Sequence, residues 1–543
     1  MGRDEEEVNV IILAAGSIKN RIQFLNYTFN SPALLPINTG TTASNIIDFY
    51  KKSIVNCEIS LVINESDVDE VERELRYHMK DISLITIAPT KGINETLSHV
   101  LNSVDCDCEV IINPVTTIPI EIPGKHEVFL SLETFKNADF SLVSLTEQGI
   151  EFIKKGKAPL KATQAFTGIF RAQSVVVKQA LKLCNDVSDL LSVVQEMHAL
   201  YKFNFKAVNW IDCGHEVNFY EAKAKLVTSR SFNSIRISTK EGLLEKSSTD
   251  VAKFKNEINY FSLLPSNIQV FFPRVVSSSL SGKVASAKFE YYGYSTMAEY
   301  MLYWDLSDAM WEKAFKSLSY PLKQFKKHVV FIENDIFLDF YLTKLDERLK
   351  EFDRQLSKEN KFLYKDSLLR INGTEFDNYS ILKTRIERKI QSLYDVNDFC
   401  IMHGDYCFNN ILYDCKSGII KLIDPRGSFG KSYSGVYGDI KYDLAKLTHS
   451  VVGQYDYFIA KLFSLKVSDK CISYEIIQRP NFSALKNLNY QLIEDMGYKY
   501  EDILFLTSLL FLSMVPLHSE DSDRQIALYV HGITLLNQSL EKK

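Results

Sequence analysis

The chain has 543 residues, 46% of them hydrophobic and 24% charged, a balance that excludes a disordered or fibrous protein and calls for about two to four globular cores. Its formal net charge of −5 provides no basic footprint for a nucleic-acid backbone, so nucleic acid is excluded as the main partner. The nine cysteines form no C-x-x-C and H-E-x-x-H is absent, which argues against a zinc site or a disulfide framework.

The first residues, MGRDEEE, are acidic where a secretory leader carries positive charge, and Glu6 stands where a myristoylation signal has Ser or Thr. A cytoplasmic protein without membrane insertion is expected. From Val8 the texture changes. The apolar run VNVIIL, residues 8–13, ends at Ala14-Ala15-Gly16 and predicts a buried parallel strand feeding a loop. Similar runs recur at Ile59 to Asn64, Ile82 to Ala88 and Glu109 to Pro114, with the helical patterns ASNIIDFYKKSI and INETLSHVLNSV between them. Strands alternating with helices predict an α/β layer whose ligand sites lie at the carboxyl ends of the strands.

Several of these segments carry motifs in order: VIILAAGS, then SPALLPINTG, APTKGINETL, FTGIFR and WIDCGHEVNFYEAK. Together they resemble the sugar-phosphate nucleotidyltransferases, whose L-A-A-G-x-G-x-R loop wraps a triphosphate on its backbone amides. The resemblance covers about residues 8–224 and implies an α/β, Rossmann-like domain of GT-A type over residues 1–225. It further implies that Gly16 and Gly92 line a site for CTP, GTP or UTP, that Lys19 or Arg21 supplies charge for the phosphates, and that Asp212 binds a metal. Two departures stand out. Pro32 replaces the lysine of the family's P-K segment, and Thr116 stands where the family has an aspartate, although a neutral hydroxyl is a poor ligand for magnesium. Two readings follow: a degenerate domain that binds without chemistry, and one that still transfers nucleotides.

Near residue 225 the pattern changes again. FNSIRISTKEGLLEKSS predicts a hairpin and DVAKFKNEINYFSLLP a charged helix; beyond about Asp305 the chain reads as mostly helical, interrupted around residues 400–425. A second domain over residues 226–543 is expected, with a small sheet-bearing lobe to about residue 300 and a large helical lobe from about residue 301. The apolar stretch Ile503 to Leu517 contains Pro516 and is too short to span a bilayer, so it predicts a buried helix. Within the interruption lies IMHGDYCFNNILYD. Phosphoryl transfer needs a carboxylate near the attacking hydroxyl, and an amide with a second carboxylate to hold magnesium. Asp405, Asn410 and Asp424 supply those types, the first two five positions apart and the third at the end of the apolar run GIIKLI.

HGDYCFNNIL followed by KLIDPRG resembles the signature of the aminoglycoside phosphotransferase and choline kinase family, relatives of the protein kinases. The likeness covers about residues 230–543 and implies a bilobal α+β, protein-kinase-like fold using ATP and magnesium. It makes Asp405 the catalytic base, Asn410 and Asp424 the magnesium ligands, His403 a support for the loop, and Asp443 of GDIKYDLAKL a brace for the site. It also calls for a lysine on the α- and β-phosphates and a glutamate to orient it, places filled by Lys246 and Glu257. The phosphate-covering segment SFNSIRIS has no glycine, which leaves Ser231, Asn233 and Ser234 as its candidate donors. GSFGKS is not a Walker A loop, because Pro425 occupies the place of the first glycine.

The function these readings imply is ATP- and magnesium-dependent phosphorylation of a hydroxyl on a sugar, polyol or choline-like alcohol. The resemblance suggests bacterial capsule or surface-polysaccharide precursor synthesis as the setting. Tyr433 and Tyr437 are read as packing residues before they are read as a cage for a cationic head group. The competing expectations are a nucleotidyltransferase making an NDP-activated sugar or alcohol, alone or beside the kinase, and a non-catalytic scaffold. The oligomeric state is open.

Overall fold

In the computed structural model, which describes residues 8–16, 29–103, 108–147, 149–226, 233–431 and 433–540, the apolar runs near the amino terminus become the parallel heart of one sheet. Ser83–Ile87, Cys57–Asn64, Val8–Leu13 and Glu109–Pro114 lie side by side in that order. Thr163–Gln173 continues the sheet antiparallel to Glu109–Pro114, and Leu142–Thr146, Gly149–Ile153, Glu127–Phe135 and Asn204–Val208 complete nine strands among the described residues. Val10, Ile11 and Ile12 are buried because a central strand is covered on both faces, which is why no polar alternation marks it. The helix Thr42–Ser53 starts from a reciprocal cap in which the side chains of Thr41 and Ser44 each accept the other's backbone N–H.

The chain divides into two compact units, Met1–Val227 and Thr228–Lys543. The second opens on a four-stranded antiparallel sheet ordered Asn233–Ser238, Leu243–Ser248, Ala285–Glu290, Val275–Ser279. The helix Val251–Leu263, capped by the Asp250 carboxylate on the Lys253 N–H, lays Phe254 and Ile258 against Ala285, Ala287 and Phe289 of that sheet. Beyond it the unit is largely helical.

The strands Ile411–Tyr413 and Ile420–Leu422 form a hairpin, and the helix Ile440–Val451 follows, buried at every residue. That helix packs on Tyr500–Met514, which in turn packs on Ser522–Leu540. The helix runs further than the sequence suggested: Tyr500–His518 is the one helical stretch among the described residues long and apolar enough to cross a membrane, contrary to the expectation that it is too short, but most of it is buried inside the protein, as expected of a core helix. Burial from all sides explains its composition, since a helix in the middle of a bundle has no polar face to show.

Candidate active site

The loop between the strand Phe399–Ile401 and the hairpin is held by one carboxylate. Asp443, fully buried on the helix Ile440–Val451, accepts the backbone N–H of His403 at 2.7 Å and of Gly404 at 2.8 Å. Gly404 is required there: its φ is +78°, and a Cβ would meet the Arg426 side chain at 2.6 Å. The His403 ring accepts the Asp405 N–H at 3.2 Å and stacks on Phe272; burial lowers its pKa to about 4, so it stays neutral.

Asp405 stands at the end of this brace with its side chain 35% exposed. The Asn410 amide donates to Asp405 Oδ2 at 3.0 Å and to its main-chain oxygen at 3.0 Å, while the Lys446 ammonium lies 2.8 Å from Oδ1. Burial opposes ionisation of Asp405, but Lys446 first and Arg426 after it hold its carboxyl below the ordinary range. The amide donors of Asn410 are spent on Asp405, so its Oδ1 is the end left for a cation. The Ile423 N–H bonds to the Asn410 carbonyl at 3.0 Å, which brings Asp424 beside it. Asp424 has φ +56°.

Lys246 and Glu257 also meet. Lys246 Nζ lies 2.7 Å from Glu257 Oε1 and 2.9 Å from Asp424 Oδ1, with both Lys246 and Glu257 buried and the Asp424 side chain half exposed. Burial works against the Lys246 charge, yet the two carboxylates raise its pKa above the usual lysine value; burial and then Asp424 push Glu257 up to about 7. The lysine strand, the glutamate helix and the Asp424 loop thus converge on one ammonium group.

Of the donors expected in the phosphate-covering segment, Ser234 is placed differently. Ser234 pairs with Ser247, one residue out of phase with Lys246, and therefore sits on the opposite face of the sheet from the lysine. Asn233 opens the same strand, and Ser231 lies outside the described residues.

Three cations and a tyrosine at this site were not singled out from sequence. Besides Lys446, Arg426 donates to the Tyr442 hydroxyl at 3.1 Å and Lys344 approaches it at 3.5 Å. Both also face the Phe340 ring, at 5.5 and 5.0 Å. Arg426 and Lys446 fall inside motifs that drew attention for their acids; Lys344 is remote in sequence and carries no local signal.

In the amino-terminal unit, Asp212 and Thr116 do come together: Gly214 separates them so closely that a Cβ there would lie 3.2 Å from Thr116 Oγ1 and 3.3 Å from Asp212 Oδ1. The Asp212 carboxylate is already engaged by the Gly214 N–H at 2.9 Å, His215 Nδ1 at 2.7 Å and the Asn218 amide at 2.8 Å. It lines a cavity of about 440 Å³ with Trp210, Asn218, Glu221 and Lys225. Gly16 follows the first strand and its carbonyl accepts the Asn64 amide at 3.2 Å. Gly92 is a packing glycine, since a Cβ would strike the Val187 carbonyl oxygen at 2.1 Å. Lys19 and Arg21 lie outside the described residues. No group of three or more His, Cys, Asp or Glu positioned for a metal occurs among the described residues.

No family model and no curated protein matches the chain. Among solved structures, the amino-terminal part is similar to a protein assigned as a glucose-1-phosphate thymidylyltransferase of Bacillus anthracis, solved with sucrose, at 18% identity and TM-score 0.34, over 40% of this chain and 94% of that one. It is also similar to the inositol-1-phosphate CTP transferase of T. maritima, at 16% identity and TM-score 0.31, over 41% of this chain and 98% of that one. Likenesses at these scores do not bear on the reaction.

Proposed function

We propose that the carboxyl-terminal unit transfers the terminal phosphoryl group of ATP to a hydroxyl of a small molecule. The observation that supports this reading is the placement of Lys246 between Glu257 and Asp424, beside a loop whose Asn410 clamps Asp405. In the transfer, the acceptor oxygen bonds to the γ-phosphorus, the bond from that phosphorus to the β–γ bridging oxygen breaks, ADP leaves, and the hydroxyl proton passes to Asp405. An aspartate kept ionised by Lys446 is a weak base, which suffices when the transition state is loose and the proton moves late.

Asn410 Oδ1 and the Asp424 carboxylate are hard oxygen donors of the type magnesium takes when phosphates complete its shell. When bound there, magnesium would neutralise charge on the β- and γ-phosphates. Lys246, oriented by Glu257, binds the α- and β-phosphates, and His403 and Asp443 keep the loop in place. Asp405→Asn removes the base and its charge while keeping the shape. It is expected to cut ADP formation by about two to four orders of magnitude in a protein that still unfolds cooperatively, with a lower melting temperature because the buried Lys446 loses its carboxylate partner. Undiminished turnover by that variant with the true acceptor would refute the assignment.

A second reading concerns the amino-terminal unit, where Thr116 and Asp212 flank Gly214 and Asp212 lines a cavity. There the unit binds a nucleoside triphosphate and a sugar or polyol phosphate, and the phosphate made by one unit would be a substrate for the other. Release of pyrophosphate from CTP, GTP, UTP or dTTP on adding a sugar phosphate is its test. Silence across that panel reduces the unit to binding.

A further inference from the structure

The kinase reading leaves the acceptor unnamed, and the side chains on the far side of Asp405 bear on it. The two oxygens of that carboxylate face different groups. Oδ2 is held by Asn410, whose remaining oxygen and whose neighbour Asp424 belong to the metal and nucleotide side. Oδ1 faces Lys446 on the helix Ile440–Val451. One turn earlier on that helix, Tyr442 receives Arg426 and Lys344 on its hydroxyl. The three cations thus cluster around the Tyr442 hydroxyl and the Oδ1 side of Asp405.

Only part of their charge is spent within the protein. Lys446 is matched by Asp405, whereas Lys344 and Arg426 form no ion pair with a carboxylate among the described residues and meet instead the Tyr442 hydroxyl and the Phe340 and Tyr442 rings. Holding two cations side by side is unfavourable: the Lys344 pKa falls to about 8, through burial first and the Arg426 charge second. The backbone is shaped to do it. Residues Asp339–Thr343 form a π-helical turn directly before the helix Lys344–Gln355, setting the Phe340 ring under both cations, and such turns are frequent at functional sites. An arginine held over two aromatic rings and bonded to a phenol is restricted in orientation, which suits recognition of an oxyanion.

Building on the kinase reading, we propose that the acceptor alcohol carries an anionic group, a carboxylate or a phosphate, which Arg426 and Lys344 bind while its hydroxyl lies at Asp405. A cationic alcohol of the choline kind is disfavoured at such a site.

The test uses the full chain in two parts. Calorimetric titration with magnesium and a non-hydrolysable ATP analogue examines the kinase reading alone, and failure to bind overturns that reading. With the analogue present, glycerol 1-phosphate, glycerate, glycerol and choline are titrated in turn, and the same four are offered as acceptors with ATP. The expected result is binding and ADP formation with one or both anions, the comparison of phosphate with carboxylate naming the group. Arg426→Gln and Lys344→Met are each expected to weaken the anion at least tenfold and to leave the analogue's affinity within about twofold, with Arg426→Lys recovering part of the loss. Preference for choline or glycerol, no binding of either anion, or a loss that falls on the ATP analogue instead would overturn the proposal while leaving the kinase reading in place.

Discussion

Tyr442 and Lys344 set the pH range over which the cationic group keeps its charge. Burial alone would raise the tyrosine pKa, but Arg426, Lys344 and Lys446 bring it down to about 8, and Lys344 itself lies at about 8. Both transitions subtract positive charge as the pH rises: the lysine loses its proton to become neutral and the phenol becomes an anion. The KM for an anionic acceptor is therefore expected to rise at least about fivefold between pH 7 and pH 9, a loss on the order of 1 kcal/mol for a partly solvated pair, while the KM for ATP does not rise, because Glu257, at about 7, only gains the charge that holds Lys246 over that range. A flat acceptor profile across that range would contradict it. At this scale the sequence was legible where chemistry is local. Asp405 and Asn410 fall in one loop, so their spacing survives folding as a contact, and Asp424 joins them across a short hairpin. Lys344 reaches the site only because a π-helical turn and a separate helix carry it there, and nothing near it in the chain records that.

Among elements, the decisive junction lies between the glutamate helix Val251–Leu263 and the loop after Asp424. Gly427 has φ +67°, and a Cβ there would meet the Asn256 carbonyl oxygen at 2.3 Å and the Glu257 nitrogen at 3.1 Å. Gly427→Ala must therefore either push the helix away or leave the left-handed region, and both displace Glu257 from Lys246. The expected outcome is a rise of about tenfold or more in the KM for ATP with a modest fall in thermal stability, checked by steady-state kinetics and a melting curve; unchanged kinetics would mean that the helix position is immaterial. The strands and helices of the first unit were readable from pattern, since a buried parallel strand has an apolar centre without polar alternation, and the runs VIIL, LVI and VII within Val8–Leu13, Cys57–Asn64 and Glu109–Pro114 show it. The junction at Gly427 was not, because a glycine chosen for lack of space looks the same in sequence as one chosen for a turn. Gly92 makes the same point: its motif suggested a nucleotide contact, and its surroundings show a backbone pressed against Val187.

For the whole molecule, each of the two units carries a buried core of its own, around Val128, Phe170 and Val194 in the first and including Phe254, Ala287 and Phe289 in the second. Residues 228–543 expressed alone are expected to unfold cooperatively and to form ADP at a rate within about threefold of the full chain, with any pyrophosphate-releasing activity confined to residues 1–227. An inactive, well-folded carboxyl-terminal fragment would place part of the phosphoryl-transfer machinery in the first unit. On the kinase reading, the ammonium group shared by Glu257 and Asp424 has a thermodynamic corollary: a nucleotide that draws Lys246 onto its phosphates would strip Asp424 of its counter-charge, and a divalent ion held by Asp424 would replace it. Metal and nucleotide must then favour each other's arrival by equal factors, so either one titrated without the other would meet a repelling partner.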